Sequence, residues 1–452
     1  MADDVLSNLS VRKPRQRSSG AATHSLARIL NLVRLRQAET RQQLEKISEL
    51  GRAIVADRLN ALTEMELVDE SKLGTATGGR APRLITFRND AARLLVATLD
   101  QTAIGVAITD LSGTLLTEHH EAFDQTVSAD ATTNRLITLF EWLIEKSETE
   151  TPIWGVGVSM PVPVQSETDG WFTKTTPTLL PTWDEHPFVE RLMTHFHAPV
   201  WLRSSVETMT MGEVKAGAGA DAQCLLFLKI GKRIGAAMVN DGHLYRGAKG
   251  ATGLIGQSPV AVNGSTGSLD LLAGSDAIAR AGQTAGENGS SSELAEICAR
   301  GEPVTAIDVG QAAQMGDPVA MEIMAQSGRL IGHVTASLAN MLNPSKIILS
   351  GSIAQTNDIL LAAVREAVYG DSHPLVTRDL TISASQLGSS AGLIGAAAVV
   401  SEGLFEPDHL RAWISEGTPL QHPELQDALD LASDKLAASP ATEASNSAPP
   451  AA

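Results

Sequence analysis

The chain has 452 residues, of which 43% are hydrophobic and 4% aromatic, and a formal net charge of −17. Apolar content on that scale can core two or three domains. No apolar run reaches the roughly 18 residues of a membrane span, MADDVLSNLS lacks the basic-then-apolar order of a secretory signal, and Cys224 and Cys298 alone imply no disulfide framework; a cytoplasmic protein is expected. The overall negative charge excludes nucleic-acid binding along the whole chain, but its distribution is uneven. Residues 1–90 hold 15 Lys and Arg against 11 Asp and Glu, a net of +4 that leaves −21 for the remainder. A small basic module on a large acidic body is the pattern of a DNA-binding head on an effector domain.

Residues 1–20 are polar and contain Arg12-Lys13-Pro14-Arg15-Gln16-Arg17, which predicts a disordered basic arm. From Ser25, Leu26, Ile29, Leu30 and Val33 recur at helical spacing. A second helix is predicted from Thr40, its N-cap, to Ile47. A third is predicted from Gly51 to Glu64 with Ile54, Val55, Leu59 and Leu62 inward. A Gly-rich stretch from Gly74 to Arg83 then leads into the alternating Leu84-Ile85-Thr86-Phe87. Beyond Leu94 the pattern becomes strand–turn–strand sets alternating with helices: LLVATLD, AIGVAITD, LSGTLL, IWGVGVSM, VWLRSS, CLLFLKIG and GAAMVNDG, a long helix from Pro318 to Leu342, a strand Lys346–Gly351 and a Gly/Ala helix near residue 400. That alternation predicts an α/β fold. Residues 1–20 are expected to form an arm, 21–90 a winged helix-turn-helix and 91–405 an effector and oligomerisation domain. Residues 406–452 are expected to form an acidic, Ala/Ser/Pro-rich tail, disordered from about Ala437.

Three helices with a short turn at Ile47–Leu50 have helix-turn-helix spacing, which lays the second helix of the motif in the major groove. The exposed positions of that helix are predicted to be Arg52, Ala53, Ala56, Asp57 and Arg58. Arginine reads guanine by paired hydrogen bonds or holds phosphate, and alanine contacts a thymine methyl. Thr40 and Arg41 open the first helix of the motif, and Arg12 and Arg15 lie on the arm. Gly78-Gly79-Arg80-Ala81-Pro82-Arg83 fits a wing whose Arg80 and Arg83 enter a narrow minor groove. Glu49 departs from the pattern: it stands where glycine is favoured for a left-handed backbone, and its charge either weakens affinity or points away.

The whole arrangement over about residues 25–405 resembles the repressor–ORF–kinase (ROK) family. The matching stretches are Leu99–Asp110, Trp154–Val164, Trp201–Glu213, Lys229–Gln257, Asn343–Ile353 and Leu387–Ala397. The resemblance implies a winged helix-turn-helix followed by a two-lobed actin-like, sugar-kinase-like (ribonuclease H-like) domain. It also marks positions where this chain departs from the kinase pattern. Where the family's first hairpin reads Asp-x-Gly-Gly-Thr, this sequence has Asp100-Gln101-Thr102 after Thr98-Leu99, so only Thr102 survives and Asp100 would repel phosphate. Where kinase members read Glu-Asn-Asp-Ala-Asn, it has Arg203-Ser204-Ser205-Val206-Glu207, and the base Asp is Ser205. Losing a positioned general base costs about 10²–10⁴ in rate. Glu207 is discounted as a substitute because an extended segment would place it two residues on.

The family's sugar clamp, Glu-x-Gly-His, reads Leu254-Ile255-Gly256-Gln257, and the zinc motif aligns with Ala261–Ser268, which keeps both glycines and no thiolate. Zinc needs thiolate or imidazole ligands; no metal and no cofactor are expected. Arg203, Ser204, Ser205, Leu254 and Gln257 are the degenerate sugar-pocket positions where an effector would make contact. His195 and His197 are read as structural, alternating like strand or loop residues, and Glu118-His119-His120-Glu121 as a solvated loop. Gly231-Lys232-Arg233-Ile234-Gly235 matches the second phosphate loop, and either binds an anion or is a solvated turn. The expected function is a non-enzymatic, sequence-specific transcriptional regulator, a repressor of sugar-related or other metabolic genes. It would bind a palindromic operator as a homodimer or homotetramer and answer to a small-molecule effector, a sugar by family analogy. Two alternatives stand beside it: a sugar kinase with an accessory N-terminal domain, and a regulator whose effector domain is only an oligomerisation or docking scaffold.

Overall fold

A computed structural model describes residues 20–71, 73, 83–100, 103–123, 128–148, 150–166, 175–177, 186–262, 264–356 and 358–438. Arg12, Arg15, Arg80 and Thr102 lie outside the described residues, as does the predicted disordered end beyond Ala438; Ala437 and Ala438 close the helix Pro423–Ala438. The chain divides into two compact units, residues 1–91 with 403–426 and residues 92–402 with 427–452. The segment after Glu402 is therefore not simply an appended tail; residues 403–426 fold with the N-terminal unit.

In the first unit, α1 (Gly20–Arg34) begins five residues ahead of the predicted start and buries Leu26, Ile29, Leu30 and Val33. Thr40 caps α2 (Arg41–Ser48) in a capping box: Gln43 N donates to Thr40 Oγ1 at 3.3 Å, and Thr40 N to Gln43 Oε1 at 3.1 Å. Glu49 ends the helix at φ 57°, ψ 20°. This is the left-handed conformation the turn requires, held by a residue with a Cβ. α3 (Arg52–Glu64) buries Val55, Leu59 and Leu62, which fall at i, i+4 and i+7. Ile54 does not join them: one step of 100° takes it off that face, and it is 44% exposed rather than inward.

Next comes a small hairpin. β1 (Val68–Asp69) pairs antiparallel with β2 (Thr86–Phe87), and a further bridge joins Leu73 to Arg83. The core of this unit is completed by the returning segment. Phe405 meets Phe87 edge-on at 5.4 Å and Trp413 at 5.7 Å, with the Arg34 guanidinium 4.8 Å above its ring. Asn31 Nδ2 donates to Phe405 O at 3.0 Å, and Trp413 Nε1 to Leu404 O at 2.8 Å. Trp413 belongs to the helix Pro407–Trp413 and is fully buried.

The second unit has two lobes, each built on a five-stranded sheet. The first contains β3 (Arg93–Leu99), β4 (Ala103–Asp110), β5 (Leu115–Ala122), α4 (Ala129–Lys146), β6 (Ile153–Met160), the small hairpin of β7 (Val164–Ser166) and β8 (Thr175–Pro177), α5 (Phe188–Phe196) and β9 (Val200–Ser204). Its strand order is β5-β4-β3-β6-β9, with β3 antiparallel to β4 and parallel to β6. α6 (Ser205–Ala216) follows. The second lobe contains β10 (Cys224–Ile230), β11 (Ile234–Asn240), β12 (His243–Tyr245), the hairpin β13 (Pro259–Val262) and β14 (Ser265–Ser268), and the short α7 (Leu269–Ala273). Then come α8 (Ser275–Glu287), α9 (Ser292–Ala299), α10 (Ala306–Gln314), α11 (Pro318–Leu342), β15 (Lys346–Ser350), α12 (Ser352–Thr356), α13 (Asp358–Asp371), α14 (Pro374–Thr377) and β16 (Thr381–Ala384). Its order, β12-β11-β10-β15-β16, repeats the first lobe's three antiparallel and two further parallel strands. α15 (Ser390–Phe405) crosses α6 so closely that a Cβ on Gly395 would lie 1.6 Å from Thr208 O, which only glycine tolerates. Among the described residues no helix is long and apolar enough to cross a membrane.

Glu118-His119-His120-Glu121 is not a loop. It lies in β5, whose backbone pairs with β4 from Ala122 to Leu115, so edge-strand pairing holds these polar side chains. Arg135 donates to both Glu121 oxygens at 2.7 and 2.6 Å and holds that carboxyl below the usual carboxylate range. His195 lies in the last turn of α5 and His197 is its left-handed C-cap, so neither is on a strand.

Trp413→Ala is expected to cost the first unit about 3–5 kcal/mol, the range for emptying a fully buried aromatic site. Hydrogen exchange should accelerate at α1 and α3 amides and not in β3–β6; uniform or absent acceleration would refute this. Glu49→Gly should stabilise the same unit by about 1 kcal/mol by relieving the left-handed side chain, read as a raised denaturation midpoint. A lowered midpoint would contradict it.

Candidate functional site

In the first unit, α2, the turn at Glu49 and α3 form the helix-turn-helix, with the β1–β2 hairpin in the position of a wing. Arg52 stands exposed in the first turn of α3 and has no hydrogen bond or ion pair among the described residues. Ala53 and Ile54 are exposed beside it. Ile54 is thus an apolar side chain on the exposed face of α3, where periodicity had assigned it to the core. Ala56 is half-buried and Asp57 exposed.

Arg58 is placed differently from the expectation. Its Nε donates to Ser25 Oγ at 2.8 Å, its Nη1 pairs with Asp57, and it is only 21% exposed. Arg58 thus holds α3 to α1 rather than standing free. Arg41 donates to both oxygens of Glu70 at 3.0 and 2.8 Å, clipping the start of α2 to the residue after β1. Thr40 spends its hydroxyl on the α2 cap. Arg83 is exposed at the base of the hairpin, opposite Leu73. Ile85 N donates to Glu39 O at 2.8 Å, which ties the hairpin to the approach to α2.

The second unit carries a cleft of about 560 Å³ between its lobes, within the size of ordinary ligand sites. Ser204, Ser205, Leu254 and Gln257 line it, and Arg203 does not; the Arg203 Nη1 donates to Leu202 O at 2.9 Å. Ser205 opens α6, because Ser204 and Glu207 form a capping box. The segment is therefore helical where extended chain was expected. Glu207 is nonetheless unavailable as a base. Its Oε2 accepts from Ser204 N at 3.0 Å and Ser204 Oγ at 2.9 Å, and its Oε1 from Arg246 Nε at 2.8 Å.

Glu213, fully buried, accepts from Gln386 N, Leu387 N and Ala218 N at 3.0, 3.1 and 2.7 Å. At the cleft floor Lys229 Nζ donates to Ser205 Oγ at 3.0 Å and lies 3.6 Å from Asp100 Oδ2. Sequence reading did not single out Lys229. Its signal was a lone charge inside the apolar run CLLFLKI. A second cavity of about 230 Å³ shares Asp100, Ser205 and Lys229 and adds Thr98, His120 and Gly392.

At the sugar-clamp positions, Leu254 is 50% exposed, while Gln257 Nε2 donates to Asp270 Oδ2 at 3.2 Å. Asp270 Oδ1 accepts from Ile234 N at 2.6 Å, bracing the turn Gly231–Gly235. Lys232 in that turn pairs with Asp276 at 3.2 Å. The stretch aligned with the zinc motif is the β13–β14 hairpin, paired through Val260↔Gly267, Ala261↔Thr266 and Val262↔Ser265. Its alanine, valine, threonine and serine side chains do not fit a zinc ion, and no group of three His, Cys, Asp or Glu capable of holding a metal occurs among the described residues.

A xylose repressor of Bacillus spizizenii (strain W23) is 23% identical over 370 residues, covering 80% of this chain and 91% of that protein. The DNA-binding transcriptional repressor Mlc of Escherichia coli (strain K12) is 23% identical over 376 residues, covering 81% and 90%. Among solved structures, a ROK family transcriptional regulator described as a homologue of E. coli Mlc superposes with a TM-score of 0.71 at 22% identity, over 87% of this chain and 98% of that one. That likeness supports a two-lobed actin-like body behind N-terminal helices. Residues 99–402, well over half of the chain, match the ROK family, and the chain belongs to it.

Proposed function

We propose that this chain is a sequence-specific DNA-binding transcriptional regulator, acting as a repressor of sugar-related or other metabolic genes, whose kinase-like unit binds an effector and performs no catalysis. The observation that carries the reading is the helix-turn-helix of the first unit, with Arg52, Ala53 and Ile54 exposed at the start of α3 and Arg52 uncommitted. Those are the positions from which a recognition helix reaches base edges. Similarity to xylose repressors and to Mlc supports the same reading. Arg52 and Arg83 are assigned to base or phosphate contacts, with Arg80, Arg12 and Arg15 as further cations of wing and arm. Arg41 joins them by exchanging Glu70 for phosphate, while Arg58 and Thr40 position the two helices. The protein acts as a homodimer or homotetramer on a palindromic site.

The absence of catalysis rests on Ser205. A hydroxyl that accepts a hydrogen bond from Lys229 cannot act as the proton acceptor a sugar kinase requires. The cleft remains large enough for a ligand, which favours effector binding over a purely scaffolding unit.

Selection from random DNA with the purified chain should return two half-sites about one helical turn apart, or a multiple of it. Arg52→Ala should lose about 1–3 kcal/mol of binding and relax preference at one base pair. Arg58→Ala should act through stability of the head. Recovery of no preferred sequence would sink the regulatory reading. With ATP and a panel of hexoses, a coupled assay should show no turnover above background, and robust turnover would restore the kinase reading.

A further inference from the structure

Lys229 is the one charged residue in β10, and its side chain is 17% exposed. An ammonium so far removed from water has to be matched by oxygen acceptors. Here it has neutral Ser205 Oγ at 3.0 Å and Asp100 Oδ2 at 3.6 Å. The second distance is past hydrogen-bonding range, and the Asp100 side chain is 57% exposed, so this is a solvent-screened and weak pair. It also joins residues from different lobes: Asp100 follows β3, and Lys229 lies on β10.

The formal charges lining the cleft cancel, with Asp100, Asp270 and Asp276 against Lys229, Lys232 and Arg233. Their commitments do not. Asp270 is spent on Ile234 N and Gln257, and Asp276 on Lys232. Arg233 is exposed and has no ion-pair partner among the described residues. The cationic donors at the floor and rim are the groups still short of acceptors, and Asp100 occupies from within the chain the place of a ligand's negative group.

Resting on the reading of this unit as an effector domain, we infer that the cleft binds a small polyol bearing an oxyanion, a carboxylate or a phosphate, which displaces Asp100 and pairs with Lys229. The hydroxyls of Ser205, Thr252 and Ser275 and the amide of Gln257 line the same cleft and supply partners for the polyol. A neutral sugar offers Lys229 only uncharged hydroxyl acceptors like that of Ser205; an oxyanion adds a charge-assisted hydrogen bond, roughly twice as strong.

Calorimetric titration of the full chain with D-gluconate, D-glucose 6-phosphate, D-glucose and inorganic phosphate tests this. One of the two anionic polyols should bind saturably and at least about 10-fold tighter than glucose or phosphate alone, the worth of one charge-assisted hydrogen bond. Which of them binds tells carboxylate from phosphate. Lys229→Met should remove at least that factor. Asp100→Asn, a change at an exposed side chain, should tighten binding about 3-fold by removing the competing carboxylate, and this arm holds even where Lys229→Met fails to fold. Glucose or inorganic phosphate binding as tightly as the anionic polyols, a folded Lys229→Met with unchanged affinity, an Asp100→Asn with no gain, or binding of neither polyol would each overturn the inference. Anion binding that depends on Lys229, in a chain that selects no DNA, would uphold the ligand class and sink the regulatory reading. DNA selection without anion binding would do the reverse.

Discussion

The hydrogen bond from Lys229 to Ser205 at 3.0 Å decides what the second unit can do. A sugar hydroxyl becomes a nucleophile only if something nearby accepts its proton, and the acceptor has to sit where the lobes meet. At that point the chain offers a hydroxyl that accepts a hydrogen bond from an ammonium. Two carboxylates of α6 are bound elsewhere: Glu207 between Ser204 and Arg246, and Glu213 against the backbone of Gln386, Leu387 and Ala218. Both acids hold α6 in place. The frame that would position a catalytic base is thus intact and internally stabilised, while the base itself is replaced.

The first unit faces a different constraint. A three-helix head with a small hairpin encloses little apolar volume, and domains of that size are marginal. Here the deficit is met from the far end of the chain. Phe405, Leu410, Trp413 and Ile414 are all buried, and the edge-on contacts of Phe405 with Phe87 and Trp413 join the hairpin to the returning segment. The supported core lets the surface of α3 carry Arg52, Ala53 and Ile54 without packing duties. Arg58 bears the opposite load: its bond to Ser25 fixes how α3 lies against α1. Two arginines six residues apart on one helix therefore have separate tasks, one committed to the fold and one left uncommitted.

What the sequence disclosed followed the locality of the signal. α11 was read at its observed bounds because its ends are written into neighbouring residues: Asp317 as N-cap, Pro318 at the first position and Asn343 in a left-handed C-cap. The strands β3, β4, β6 and β10 were legible as apolar runs. The start of α6 was legible too, in the spacing of Ser204 and Glu207, but the extended run VWLRSS before it obscured the signal. Other features were not written locally. The polar residues of β5 form a strand because β4 supplies their backbone partners. Arg58 leaves the exposed set because Ser25 is within reach only after folding. The return of Phe405 to Asn31 spans 374 residues of sequence separation, and no periodicity announces it. The site divides in the same way. Substitutions at Ser205, Leu254 and Gln257 were visible from the motif positions, whereas the group that fills the space, Lys229, comes from a strand whose register with Gly235 and Ser350 sets it at the cleft floor.

Charge separates the two units' partners at two scales. The second unit, residues 92–402 and 427–452, carries −18, which opposes its nonspecific attachment to DNA, where phosphate contact dominates affinity. Beyond about 8 Å in physiological salt that field is screened, so it does not govern the interior of the cleft. There, individual commitments matter: carboxylates already paired contribute little attraction for a cation, and an ammonium held by one hydroxyl and one distant, exposed carboxylate attracts an oxyanion. An acidic body and the anion site proposed for the cleft are thus compatible, because the first is a property of the solvated surface and the second of one ammonium within the cleft.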